Sequence, residues 1–312
     1  MLQRLKFHFL SGITLLFVFA LPAYSGEKKT ETYHCPSRSA AFVQMKQRAE
    51  AADRTAQAAM AECYELGRNV QPSRAETIHW LTLAANQGYA PAQYELGRIY
   101  LYGRGVPADY QQALTWEKKA ADQGQSKAQR DLAFMYQRGL GVQADPHEAA
   151  VWNRKAAMQG DAEAQFHLGE ALEKGTGVPA SLAEAKLWYL KAARQDMTPA
   201  QVRAGQIYAE EGDACRALFW FQKAAENGDA QSMQESGHLY QAGKCGGDSG
   251  KAYFWLRAGG RFGSAASAAE ANKLASQLTP ARNQSLDAQV ERWVRGHSGA
   301  QKEEDEKERE ER

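Results

Sequence analysis

Along the middle of this chain, small and apolar positions recur in two alternating registers. In Ala92-Gln93-Tyr94-Glu95-Leu96-Gly97-Arg98-Ile99-Tyr100 they fall at 92, 96, 99 and 100, the spacing of one helical face. Equivalent residues return as Leu132, Leu168 and Ala204, and the tyrosine returns as Tyr64, Tyr136, Tyr208 and Tyr240. A second helix, built around tryptophan, is expected after each of these segments. The tryptophans at 80, 116, 152, 188, 220 and 255 are spaced by 36, 36, 36, 32 and 35 residues, so the sequence repeats internally.

What surrounds each tryptophan fixes the helix phase. Seven residues before it stands Ser73, Asp109, Asp145, Ser181, Asp213 or Asp248, each a side chain that can accept from the free N–H groups of a helix start. Glu76, Gln112, Glu148 and Glu184, three residues further on, complete a capping box in the first four copies, while Arg216 and Lys251 break it. Four and five residues after the tryptophan come Ala84-Ala85, Ala120-Ala121, Ala156-Ala157, Ala192-Ala193, Ala224-Ala225 and Gly259-Gly260. A missing side chain beside a large ring lets a neighbouring helix approach. Gly88, Gly124, Gly160, Gly228 and Gly263 then stop the helix, and Asp196 takes that position once. The two helices of a copy are joined by turns such as Gly103-Arg104-Gly105-Val106, Gly139-Leu140-Gly141-Val142 and Gly175-Thr176-Gly177-Val178; the fifth copy lacks the glycine pair and is four residues shorter. Pro146, Pro199 and Pro280 fit first helical turns, and Pro72, Pro107 and Pro179 lie before caps.

These motifs resemble the Sel1-like repeat family, a relative of the tetratricopeptide repeats with a longer turn inside each repeat. The family pattern runs A-x-x-x-L-G-x-x-Y-x-x-G-x-G-V, an N-cap, then A-x-x-W-x-x-x-A-A-x-x-G, and Ala92 to Gly124 match it almost throughout. The end copies depart from it, with Met60-Ala61 for Leu-Gly, Asn69 and Cys245 for the second turn glycine, and Ser236 for the leucine. The resemblance implies an all-α fold, a right-handed α/α solenoid of six helical hairpins. The expected repeats are 53–88, 89–124, 125–160, 161–196, 197–228 and 229–263, preceded by a linker and leading helix at 26–52. Residues 264–297 read as a capping helix pair, with an Ala-rich helix and then one opened by Thr279-Pro280 that carries Trp293. Such a cap is needed because the last repeat otherwise exposes its apolar face.

The ends of the chain say where it works. Arg4 and Lys6 precede an apolar run from Phe9 to Leu21, followed by Pro22 and Ala23-Tyr24-Ser25, the layout of a secretory signal peptide over 1–25. Periplasmic or secreted localisation follows, with no stable membrane insertion of the mature chain. Residues 298–312 read as a charged disordered tail, since Lys302 to Arg312 hold seven acids, four bases and no apolar residue.

Composition narrows the function. With 38 basic and 37 acidic residues the formal net charge is +1, which argues against a nucleic-acid partner. Fifty-five alanines and the absence of Gly/Pro-bounded strand-like runs argue against a β-rich fold. The seven histidines are dispersed, and His167 and His238 each have a glutamate three residues away. No metal or cofactor site is expected. Gly247-Asp248-Ser249-Gly250 has the look of a serine-protease nucleophile segment, but Asp248 is already accounted for as an N-cap. No catalytic residue is assigned. Cys215 begins a second helix and Cys245 lies in the next repeat's turn, so stacking brings them within reach; Cys35 and Cys63 would pin the leading segment to the first repeat.

Function then falls to positions where the copies differ while the frame stays fixed. Two before the Leu-Gly leucine stand Tyr94, Arg130, Phe166, Val202 and Gln234; two after it stand Arg98, Phe134, Glu170, Gln206 and His238. The expected partner-binding face is Tyr94, Arg98, Arg130, Phe134, Phe166, Glu170, Gln206 and His238, with Phe134 and Phe166 flanked by Arg98 and Arg130 in a groove for a protein or peptide segment. The resemblance implies a non-catalytic adaptor in envelope assembly, signalling regulation or host contact. Its alternative is an envelope hydrolase or β-lactam-binding protein, an activity assigned to some cysteine-rich relatives whose cysteines recur from repeat to repeat, as they do not here.

Overall fold

The computed structural model describes residues 34–297; the expected signal peptide and the charged run from 298 onward lie outside the described residues. Helix α1 (Ser39–Glu50) leads, and six hairpins follow: α2 (Arg54–Leu66) with α3 (Arg74–Asn86), α4 (Ala90–Tyr102) with α5 (Tyr110–Asp122), α6 (Ser126–Arg138) with α7 (Pro146–Met158), α8 (Ala162–Lys174) with α9 (Leu182–Ala193), α10 (Thr198–Glu210) with α11 (Ala214–Glu226), and α12 (Ala230–Gln241) with α13 (Ser249–Arg261). Two further helices, α14 (Ala265–Ala275) and α15 (Pro280–His297), close the array, and no strand occurs among the described residues. From α4 onward, each first helix packs on the second helix of its own hairpin and, on its other side, on that of the preceding hairpin. The architecture is an α/α solenoid.

The local chemistry explains each helix start. Ser73, Asp109, Asp145, Ser181, Asp213 and Asp248 all accept a backbone N–H of the first turn through their side chains, each worth about 1 kcal/mol. The reciprocal half of the expected capping box does not form. The N–H groups of Ser73, Asp109, Asp145 and Ser181 donate instead to the carbonyls of Tyr64, Tyr100, Tyr136 and Leu172, at 3.1, 2.9, 2.9 and 2.7 Å. The hairpin has already satisfied the donor that Glu76, Gln112, Glu148 and Glu184 were expected to take. Glu148 is thereby free to accept from the Trp152 indole at 3.1 Å.

Helix ends and turns use left-handed backbone where the sequence allows it. Gly88, Gly124, Gly160, Gly228 and Gly263 have φ between 76° and 98°, and Asp196 takes 59° in the same role. In the intra-repeat turns Asn69 and Cys245 adopt φ of 62° and 54° where Gly105, Gly141 and Gly177 have 74°, 67° and 73°. A Cβ at Gly141 would run into the Tyr110 carbonyl, and one at Gly177 into that of Pro146. The turns of the third and fourth repeats therefore rest on the start of the previous repeat's second helix.

The alanine pairs of repeats one to five are buried, and at Gly260 a Cβ would come within 2.9 Å of Ala268 on α14, which is why the last pair is glycine. The tryptophans prove less central than their periodicity suggests. Trp116, Trp152 and Trp255 are buried, whereas Trp80, Trp188 and Trp220 are half-buried. Lysines three residues on lie over the rings, Lys119 on Trp116, Lys155 on Trp152 and Lys191 on Trp188, at 4.1, 3.4 and 3.7 Å from the ring centre. The hairpin interior is filled by the next residue along: Leu81, Glu117, Asn153, Tyr189, Phe221 and Leu256. Four of these, Glu117, Tyr189, Phe221 and Leu256, press on the Leu-Gly glycine or its equivalent. Trp293 of α15 packs on Phe254, Trp255 and Phe262 at 6.1, 5.3 and 5.9 Å, sealing the last repeat.

Successive repeats are also tied by an amide ladder. Buried Gln57, Gln93, Gln129, Gln165 and Gln201 each donate to the carbonyl eight residues earlier, at 3.0 to 3.2 Å. Their own side-chain oxygens accept from Gln87, Gln123, Gln159, Gln195 and Asn227, at 2.6 to 3.1 Å. Cys215 is bonded to Cys245 and Cys35 to Cys63, with Cα separations of 5.4 and 5.1 Å. Cys215 stands two residues after its cap, where Gln111 and His147 stand after theirs; those two side chains reach the carbonyls of Gly141 and Gly177, at 2.8 and 3.0 Å. The disulfide thus makes covalent, between repeats five and six, a joint that is a hydrogen bond between repeats two to four.

Candidate functional site

On the first helices the variable side chains line up at i, i+4 intervals: Tyr94, Arg98 and Tyr102 on α4, Arg130, Phe134 and Arg138 on α6, and Phe166, Glu170 and Lys174 on α8. A groove of about 1140 Å³ opens across the first three repeats, lined by Tyr94, Glu95 and Ile99 of α4 and by Arg54, Arg104 and Lys127 among others. A smaller pocket of about 550 Å³ lies over repeats four and five.

The eight expected face residues divide among six settings. Tyr94 lines the large groove. Arg98 lies between Tyr94 and Tyr102, with its guanidinium 5.6 Å from each ring centre. Phe166, Glu170 and Gln206 meet in the smaller pocket, joined there by Tyr189, Glu173 and Arg203. Phe166 packs on Tyr189 at 5.5 Å, and the Tyr189 hydroxyl donates to Glu173 at 2.7 Å. Hydrogen bonds from Arg203 hold the Glu173 carboxyl below its ordinary range, and one from His167 does the same for Glu170.

The remaining three stand apart. Arg130 is occupied by Asp131, Asp161 and Glu163 at 3.3, 3.2 and 3.1 Å. Phe134 is 39% exposed, lines neither cavity, and carries Arg138 at 5.8 Å from its ring. His238 is 2.7 Å from Glu270 of α14 and 3.9 Å from Glu235. Phe134 and Phe166 therefore do not share one cavity between Arg98 and Arg130.

Column-by-column reading of the variable positions misses a cluster inside the second and third hairpins. Glu117 is fully buried on α5 with neither carboxyl oxygen bonded, and a buried polar atom without a partner also occurs on Arg98, Asp131 and Asn153. Burial, reinforced by the charge of Asp131, lifts the Glu117 carboxyl well above the ordinary glutamate value. Burial also lifts Asp131, against the pull of the Arg130 guanidinium bonded to it. The signal was present in the sequence: Glu117 and Asn153 follow the tryptophan at a position that is Leu, Tyr or Phe in the other four copies. Among the described residues no group of three or more His, Cys, Asp or Glu could hold a metal ion, and no helix is long and apolar enough to cross a membrane.

The Sel1 repeat family model matches residues 54–89, 90–125, 126–161, 162–197, 199–229 and 230–260. Among solved structures, a protective antigen of uropathogenic Escherichia coli strains displaying an SLR fold is 31% identical, with a TM-score of 0.69 over 81% of this chain. The chain spans 56% of that antigen's length. A Sel1 repeat protein from Oxalobacter formigenes is also 31% identical, with a TM-score of 0.64 over 75% of this chain and 69% of its own. A search of curated proteins gives no match.

Proposed function

This chain belongs to the Sel1 repeat family, and from that premise we propose that it is an exported, non-catalytic scaffold that captures a protein or peptide segment along its first helices. A general scaffold role in protein interaction is what solenoids of this family have in common. The finer reading rests on one observation: a groove of about 1140 Å³ runs across three repeats, lined by Tyr94 of the variable face and by the charged side chains of Arg54, Glu95, Arg104 and Lys127. Extended clefts of this kind suit a segment of polypeptide. The family and the leading sequence together favour a periplasmic or secreted setting, in envelope assembly, signalling regulation or host contact.

Crosslinking pull-down from the native envelope fraction tests this, comparing wild type with an Arg54→Ala/Arg104→Ala/Lys127→Ala variant of unchanged helicity, since these exposed residues line the groove. The expected outcome is a captured protein lost from the variant. Equal capture by both would show that the partner is held elsewhere. Turnover or labelling with a fluorescent penicillin would instead support the hydrolase or β-lactam-binding alternative.

A further inference from the structure

The first helices are charged throughout, but their charges are spent differently along the array. On repeats four to six the first-helix cations are matched internally, Lys174 by Glu170 at 3.2 Å and Arg203 by Glu210 at 3.1 Å and by Glu173, while the His238 ring is 2.7 Å from Glu270. On the first three repeats they are mostly not. Among the described residues no carboxylate comes within 4 Å of Arg54, Arg98, Arg104, Lys127 or Arg138. In the adjoining groove, which Arg54, Arg104 and Lys127 line, the acids are less available. Glu65 is engaged by Arg74 at 3.4 Å, and Glu62 by His34 at 3.5 Å and by the Cys35 N–H.

Aromatic surface accompanies these cations. Tyr102 and Phe134 are 51% and 39% exposed; Arg98 and Arg104 lie 5.6 and 5.4 Å from the Tyr102 ring, and Arg138 lies over Phe134. Rings held beside unpaired guanidiniums present apolar area and positive charge together. We infer that the face of the second and third repeats takes an extended acidic peptide segment in which apolar side chains alternate with carboxylates, the former on Tyr102 and Phe134 and the latter on Arg98, Arg104 and Arg138. Among the acids lining the groove Glu95 has no ionic partner, and burial lifts its carboxyl above the ordinary value. The inference rests on the peptide-capture reading and names the chemistry and the end of the array.

A random 12-residue peptide library displayed on phage, panned against the whole described array, tests both levels. The expected result is enrichment of peptides rich in Glu and Asp with interspersed Phe, Tyr or Leu, whose synthetic versions bind at least tenfold more weakly to Arg104→Glu/Arg138→Glu and more weakly in 500 mM than in 50 mM salt. Both arginines are exposed, so folding should survive, which a circular dichroism melt checks; Lys273→Glu on α14 serves as the remote control. Enriched peptides of neutral or basic composition, or acidic ones indifferent to the double variant, would overturn this inference and leave peptide capture standing. A failure to enrich any peptide would count against peptide capture itself. Tighter binding of a fluorescent single-stranded oligonucleotide than of the acidic peptides would overturn the assignment of a polypeptide partner.

Discussion

Replacing Glu117 with leucine is expected to stabilise the protein, and to do so more at pH 7 than at pH 4.5. The side chain is fully buried and neither oxygen has a partner, a state that costs about 1 to 3 kcal/mol per unsatisfied group. Leucine fits the register. In the sixth hairpin Leu256 occupies the equivalent position against Gly237, as Glu117 does against Gly97, and Leu81 fills it in the first. The expected gain at pH 7 is therefore about 1 to 3 kcal/mol. The pH dependence has a definite sign. An unfolded glutamate ionises near its ordinary value of 4.5, while burial holds the folded one protonated well above it. As pH rises past 4.5 the folded state keeps a proton that the unfolded state has released, so this residue subtracts stability, at up to about 1.4 kcal/mol per pH unit. Below 4.5 both states are protonated and that contribution vanishes. Urea melts of wild type and Glu117→Leu at the two pH values, with hydrogen exchange on α5 in case the array opens in segments, measure the difference. A variant that melts below wild type at pH 7, or whose gain is the same at both pH values, would refute the reasoning.

Trp152→Ala should destabilise by about 3 to 5 kcal/mol, since the ring is only 5% exposed and its N–H is bonded to Glu148; a thermal melt unchanged by the substitution would contradict this. Gly177→Ala should cost more than about 2 kcal/mol, because a left-handed residue gains a Cβ directed at the Pro146 carbonyl. Gly124→Ala, left-handed but with nothing nearby, should cost less, and equal urea midpoints would show that the turn does not rest on its neighbour. Cys215→Ala/Cys245→Ala should lose about 2 to 4 kcal/mol under oxidising conditions, and the loss should disappear when both proteins are melted in reductant.

The fold is legible in the sequence because helix starts, helix stops and small-residue contacts are each written in residue types with few substitutes. An aspartate or serine seven before a tryptophan and a glycine eight after it bound α5 and α7 to within a residue or two. What escaped was what depends on the neighbouring hairpin. Glu148 satisfies the capping-box pattern, yet the donor it was to bind is taken by a carbonyl on another helix. Trp80 has the same periodicity as Trp116, yet only the latter is buried, because depth depends on what stacks beside it. For the candidate site the variable columns were identifiable, but not how they pair: Arg98 and Arg130 look alike along the chain, while one lies between two tyrosines and the other is surrounded by three carboxylates. Glu117 and the glutamine ladder were both visible as columns, and only their burial shows what they do.

The ladder bears on how such an array changes length over generations. Each rung closes on a carbonyl eight residues behind it and on an amide from the end of the second helix in between, and the rungs from Gln57 to Gln201 return every 36 residues. Excision or duplication of one 36-residue block, cut anywhere between Gln93 and Gln201, rejoins a glutamine to an equivalent carbonyl and an equivalent amide and leaves both disulfides intact. No rung of the ladder is orphaned by the event. At the sixth repeat the rung is Met233, fully buried and with no amide to offer, so this tolerance stops there. Unequal recombination can therefore lengthen or shorten the middle of the array in whole units, while the two disulfide-bonded ends are inherited as fixed pieces.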